Sequence, residues 1–169
     1  MNLPEMLALV RLDLKDTTVP YRWPDDELER HILHALKDLS GAIPYEQKAT
    51  VTTTAGSKEI SLSGITDMVM VEAVEYPVDE FPRRLQPFSL WANSITLCGD
   101  DVPDGSNAYI DYGRLHTLDA SSSTIPAKHE DLVAAGAAGY ATVELAAFSI
   151  NRINLGGTTT PEGFLNWGN

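Results

Sequence analysis

His31 and His34 lie three residues apart, with Asp38 four residues further on. On a helix these side chains would share one face. Two imidazoles and a carboxylate are the start of a metal site, yet a bound zinc needs three or four converging ligands. No further ligand is evident nearby in the sequence, so ordinary surface histidines are the simpler account. His116 and His129 stand alone. Asp25, Asp26 and Glu27 form a carboxylate run suited to acid–base chemistry, and equally suited to the positive end of a helix. The helix explanation requires less. Asp100-Asp101-Val102-Pro103-Asp104-Gly105 offers oxygens to calcium, but the spacing does not match a calcium loop that alternates ligands and ends in glutamate. A solvated turn fits better. Cys98 follows an apolar run and reads as a small buried hydrophobe. Gly-x-Ser-x-Gly is absent, and Ala55-Gly56-Ser57-Lys58 lacks the glycine pattern of a phosphate loop. These residues form no catalytic constellation. The expectation is a protein that is not an enzyme and uses no metal or cofactor.

Charge narrows the classes further. Twelve basic against twenty-four acidic residues give a net charge of −12 in 169 residues. Groove binding to nucleic acid relies on Lys/Arg contacts to phosphate, and Arg83-Arg84 is the one adjacent basic pair. The same balance disfavours an anionic membrane surface. Hydrophobic residues make up 43% of the chain, enough for a real core. One cysteine excludes an intrachain disulfide framework. No signal-peptide pattern opens the sequence, and no apolar run is expected to reach transmembrane length, Leu132–Ile150 being rich in Gly, Ala, Thr, Ser and Glu. A soluble protein made in a reducing cytoplasm is expected.

The elements that must position these residues follow from periodicity. Leu3, Met6, Leu7, Val10 and Leu14 form one helical stripe, with Asn2 able to cap and Pro4 and Glu5 suited to the first turn. Trp23-Pro24-Asp25-Asp26-Glu27 is the strongest helix start in the chain, and Leu28, Ile32, Ala35, Leu36 and Leu39 are its apolar stripe. Trp23 is expected to pack back on that helix. Ser40-Gly41 and Pro44 stop it. From Gln47 the period becomes two. Thr50–Thr54 and Ser57–Leu62 flank Ala55-Gly56 and predict a hairpin; Met68–Tyr76 predicts a central strand. Pro77, Pro82 and Pro87 keep the next stretch irregular. Phe88–Trp91 and Ser94–Cys98 predict a second hairpin around Ala92-Asn93, and Ala108–Tyr112 another strand. After a linker at Ser121–Ser123, Pro126 opens a long helix rich in Ala and Gly. Gly136 and Gly139 cost helix propensity, so they are expected where helices, or copies of the chain, approach closely.

The fold expected is α+β. A helical body of two N-terminal helices (3–15, 25–40) and a long C-terminal helix (127–154) carries an inserted small antiparallel sheet or sandwich (47–118). Residues 1–155 would form a single domain. Residues 156–169 would form an extended, flexible arm, in which Phe164, Leu165 and Trp167 lie within four residues. They are either incidental aromatics in a disordered terminus or anchors that dock on a partner.

Trp23-Pro24-Asp25-Asp26-Glu27-Leu28 followed by Ala35-Leu36-Lys37-Asp38-Leu39 resembles the start of the head-to-tail adaptor (connector, or head completion) proteins of tailed bacteriophages. Val51-Thr52-Thr53-Thr54-Ala55-Gly56-Ser57-Lys58-Glu59-Ile60-Ser61-Leu62 is similar to their strand, Ala-Gly turn, strand segment. Ile125-Pro126 leading into Leu132-Val133-Ala134-Ala135-Gly136-Ala137-Ala138 is similar to their long alanine-rich helix. The resemblance runs from about Leu3 to Asn154. It implies a structural virion protein of the neck, between capsid portal and tail, made in the host cytoplasm. Such a protein forms a homo-oligomeric, dodecameric ring under the portal protein and extends the DNA channel. It also offers a docking site to a tail or stopper protein. DNA would pass without specific binding, and an acidic wall would help it slide. Glu72, Glu75, Asp79 and Glu80 are the candidates for that wall. The arm, with Phe164, Leu165 and Trp167, would reach the portal. Two other readings stay open. One is a different neck or tail completion protein, a stopper or terminator. The other is a ligand- or carbohydrate-binding β module on a helical stalk, which would place Trp91, Tyr109 and Tyr112 on one sheet face.

Overall fold

The computed structural model describes residues 1–156, with side chains described through Ile150. The fold is α+β. It divides into a helical unit, Met1–Ala35 together with the chain from Pro126 onward, and a β unit, Leu36–Ile125, inserted between them in sequence.

In the helical unit, α1 spans Leu3–Asp13 and α2 starts at Asp25, running to Ala42. A 3-10 turn over Ala127–His129 leads into α3, Glu130–Gly156. Asn2 caps α1 as expected: its side chain accepts from the Glu5 N–H at 3.0 Å, while the Glu5 carboxylate accepts from the Asn2 N–H at 2.8 Å. That reciprocal pair satisfies two amides the helix start leaves open. Met6 and Val10 of α1, Leu28, Ile32 and Ala35 of α2, and Val133, Ala134, Ala137 and Ala141 of α3 are buried. Trp23 is buried beside them, in keeping with its expected packing role. The alanines let α3 approach closely. A β-carbon placed on Gly136 would lie 3.1 Å from the Ala35 β-carbon.

The β unit holds two three-stranded antiparallel sheets. One has the order β1 (Tyr45–Thr52), β6 (Asn107–Arg114), β3 (Met68–Glu75); the other has β2 (Glu59–Ser61), β5 (Ser94–Leu97), β4 (Phe88–Trp91). Ile60, Leu62, Val74, Tyr76, Ile95, Leu97, Ala108 and Ile110 form one buried cluster drawn from both sheets. The hairpin β4–β5 is as predicted, turning at Ala92 with φ +50°.

Two strand predictions are corrected. β1 does not pair with β2 across Ala55-Gly56. Its eight residues pair with β6, from Tyr45 opposite Arg114 to Thr52 opposite Asn107, and β2 pairs with β5. The turn is real, with Gly56 at φ +78°, but it carries the chain from one sheet to the other. β3 is also not central. It lies at an edge, broken by register shifts between Met68 and Met70 and between Val71 and Ala73. β6 takes the middle because Ala108 and Ile110 enter the core while its remaining residues are flanked by strands on both sides.

The linker is more ordered than its serines suggest. The Asp119 carboxylate accepts from the backbone and hydroxyl groups of Ser121 and Ser122, and these bonds hold its pKa at about 2. Asp104 behaves alike in the turn before β6. Ser106 and the Tyr76 hydroxyl bind its carboxylate and hold its pKa at about 2. The Asp100–Gly105 segment is thus a turn stapled to the core tyrosine.

Candidate assembly surface

α3 has two contrasting sides. Its buried side carries Val133, Ala134, Ala137 and Ala141. At 100° per residue, Leu132, Ala135, Gly139, Val143, Ala146 and Ile150 fall in a sector of roughly 80° on the other side. All six are exposed, Leu132 at 59%, Val143 at 69% and Ile150 at 60%. The spacing of three and four residues matches the seam of a helix that packs on another helix. Among the described residues nothing lies within 4 Å of where a Gly139 β-carbon would sit. Gly136 therefore serves packing inside this chain, and Gly139 belongs to the open stripe.

Ala127–Ile150 is long and apolar enough, by length and composition alone, to cross a membrane, which corrects the expectation that no segment reaches that threshold. Two of its charged residues, Glu130 and Glu144, are engaged within the chain. Glu130 accepts from the Met1 amino group, and Glu144 pairs with Arg30 and lies 3.1 Å from His31 Nε2.

These contacts also settle the histidine pair. His31 is buried, not a surface residue as expected, and burial pushes its pKa below the ordinary imidazole value despite the nearby Glu144. His34 stacks on Tyr140 with ring centroids 4.1 Å apart. The two imidazoles face different partners, and no group of three potential metal ligands stands together among the described residues.

The carboxylate run at the start of α2 divides its labour. Arg11, buried in the last turn of α1, places Nη1 at 2.7 Å from Asp16 and Nη2 at 2.5 Å from Asp25, and donates to the Trp23 carbonyl at 2.9 Å. Asp16 also accepts from the backbone N–H groups of Arg22 and Trp23. The motif around Trp23 is therefore one side of a buried polar clasp between α1 and α2. The apolar and acidic residues were visible in sequence; the role of Arg11 was not, because its partners Asp16, Trp23 and Asp25 are set by how the chain turns between α1 and α2.

Three further findings concern the β unit. Cys98 is exposed, which corrects its expected burial: it falls just past β5, where alternation turns it outward. Glu75 is buried and bound to Arg83 Nε at 2.6 Å, so it is structural and not part of an exposed acidic wall. Trp91 is 85% exposed on β4, whereas Tyr112 packs against the β core, and the Tyr109 hydroxyl, on the other sheet, binds Asp79. Those three aromatics do not share a sheet face. His116, isolated in sequence, is buried. Its Nε2 faces the Ile43 carbonyl and its Nδ1 the Thr124 carbonyl, both at 3.0 Å, and its N–H donates to Ser40 Oγ.

Phe164, Leu165 and Trp167 lie outside the described residues. No protein-family model and no curated protein matches the chain.

Proposed function

We propose that this chain is a structural virion protein, a head-to-tail adaptor that forms a ring beneath the portal, extends the DNA channel and offers a docking site to tail components. The observation that carries the reading is the exposed apolar stripe on α3. A chain of net charge −12 meets a copy of itself with least repulsion at an uncharged face, and Leu132, Ala135, Gly139, Val143, Ala146 and Ile150 carry no charge.

Magnitude limits the claim usefully. From Leu132 to Ile150 the stripe runs roughly 27 Å, and at about 10 Å wide it offers roughly 270 Å² per copy. A stable interface takes about 800 Å² per partner. The seam by itself is too small for a lasting dimer, so subunits are expected to close into a ring when a portal collects them. The arm containing Phe164, Leu165 and Trp167 is proposed to supply the portal contact. The placement in the neck of the virion and the absence of an enzymatic role belong to the same proposal.

The test is to add Val143→Glu to a purified portal ring and image the mixture by electron microscopy. Wild-type protein is expected to add a second ring under the portal. The variant should fold with an unchanged melting temperature and bind without closing a ring. Ring closure by the variant would remove the α3 seam from the account.

A further inference from the structure

We infer that the outward face of the sheet β2–β5–β4 is a binding site for an uncharged saccharide, stacked on Trp91 and hydrogen-bonded by a row of hydroxyl groups. The inference does not depend on the ring reading, because it concerns the inserted β unit alone.

The strand register assembles this face. Ile60 of β2 pairs with Ile95 of β5, which pairs in turn with Leu90 of β4, and Leu97 pairs with Phe88. Ile60, Ile95 and Leu97 are buried, and Phe88 packs against their cluster. Alternation then turns Glu59 and Ser61, Ser94 and Thr96, and Ser89 and Trp91 to the opposite side. Ser94 is half-buried and the other five are exposed. Backbone bonds hold the frame beyond the strand ends. The Leu62 N–H donates to the Asn93 carbonyl at 2.8 Å, the Leu97 N–H to the Lys58 carbonyl at 2.9 Å, and the Cys98 N–H to the Pro87 carbonyl at 2.8 Å. A ligand therefore meets a platform already in place, which lowers the ordering cost of binding.

The six side chains select the ligand: four hydroxyls, one indole and one carboxylate. Ser61 Oγ donates to Ser63 Oγ at 3.1 Å. The Ser89, Ser94 and Thr96 hydroxyls, the Trp91 indole N–H and the Glu59 carboxylate have no hydrogen bond among the described residues. A hydroxyl both donates and accepts, so a row of them suits a ligand that does both. The electron-rich face of an indole attracts the C–H groups on the flat side of a pyranose ring. Lys58 is the one basic residue in 57–63 and 87–99, and its Nζ is bound to the Gly99 carbonyl at 2.7 Å. A nucleotide or other anion thus finds no free cation on this face, and Glu59 opposes it. An apolar peptide would find one apolar side chain, and a basic one a single carboxylate. From Trp91 to Glu59 is two strand spacings across and two residues along, about 12 Å. A disaccharide covers that diagonal, with one ring on Trp91 and the hydroxyls of the other reaching Thr96 and Glu59. Tyr109 and Tyr112 belong to the other sheet and take no part.

The probes are cellobiose, lactose and maltose, each titrated into the full chain while the Trp91 indole N–H is followed by NMR. At least one is expected to shift that signal, with a dissociation constant in the millimolar range. Trp91→Ala is expected to weaken that sugar by about tenfold or more at an unchanged melting temperature, and Trp91→Phe to keep part of the affinity. Thr96→Val is expected to weaken it by about threefold or more. Digalacturonic acid, with a carboxylate on each ring, should not bind. Failure of all three disaccharides to bind, binding that survives Trp91→Ala, or equal binding of digalacturonic acid would each overturn the inference. So would a Trp91 signal that moves with protein concentration alone, since a second copy of the chain would then be the occupant.

Discussion

Arg11 shows how much one side chain sets in the helical unit. Its guanidinium is buried, and Asp16, itself buried, is the partner that compensates it, while Asp25 stands largely in water. Removing one member of a buried pair leaves the other charge stranded, at about 3 kcal/mol or more; removing an exposed partner costs about 1 kcal/mol or less. Asp16→Ala should therefore destabilise the fold by about 3 kcal/mol in urea titrations, and Asp25→Ala by less than a third of that. Similar losses for both would place the anchor elsewhere. His31 makes a pH prediction. Above its unfolded pKa of about 6.5 the ring is neutral in both states. Below it, the unfolded chain takes up a proton that the buried ring resists, so folding stability falls as pH drops from about 6.5 toward the lowered folded value. The groups facing His31 are Arg30, Glu27, His34 and Glu144. The urea midpoint should decline between pH 7 and 5, and less steeply in His31→Gln. Parallel slopes would contradict the assignment.

At the scale of elements, two glycines on one helix should respond in opposite ways. A larger side chain at Gly136 would press on Ala35, so Gly136→Leu should cost about 1–3 kcal/mol by overpacking. Gly139 faces open space, so Gly139→Leu should leave the melting temperature unchanged or raised, since the substitution improves helix propensity by several tenths of a kcal/mol or more. It should weaken assembly instead. Thermal melts and mass measurements on both variants decide it. Gly113 makes a similar demand in β6: a β-carbon there would lie 2.5 Å from Pro44 Cγ, so Gly113→Ala should destabilise the β unit. The helices were legible in sequence because their signals are local: the Asn2–Glu5 cap, the Trp23-Pro24 start, and the α2 stripe from Leu28 to Leu39, all of which is buried. The β4–β5 hairpin was legible for the same reason. The partner of β1 was not. Alternation identifies a strand, but which edge it joins depends on how two sheets close over Ile60, Ile95 and Ile110. His116 and Arg11 were missed because their partners, Ile43, Thr124 and Asp16, are specified by tertiary placement and not by any motif.

The whole molecule combines a helical unit, an inserted β unit, a strong negative charge and an apolar stripe without charge. Each is unremarkable alone. Together they are the features on which the proposal of a subunit that works by fitting between neighbours rests. The measurement that tests this most directly is molar mass by light scattering, for the full chain alone and mixed with a candidate portal ring, repeated after deletion of Thr158–Asn169. The account predicts a weakly associating protein alone, a stoichiometric complex with the portal, and loss of that complex on deletion. A persistent monomer that ignores the portal would contradict it.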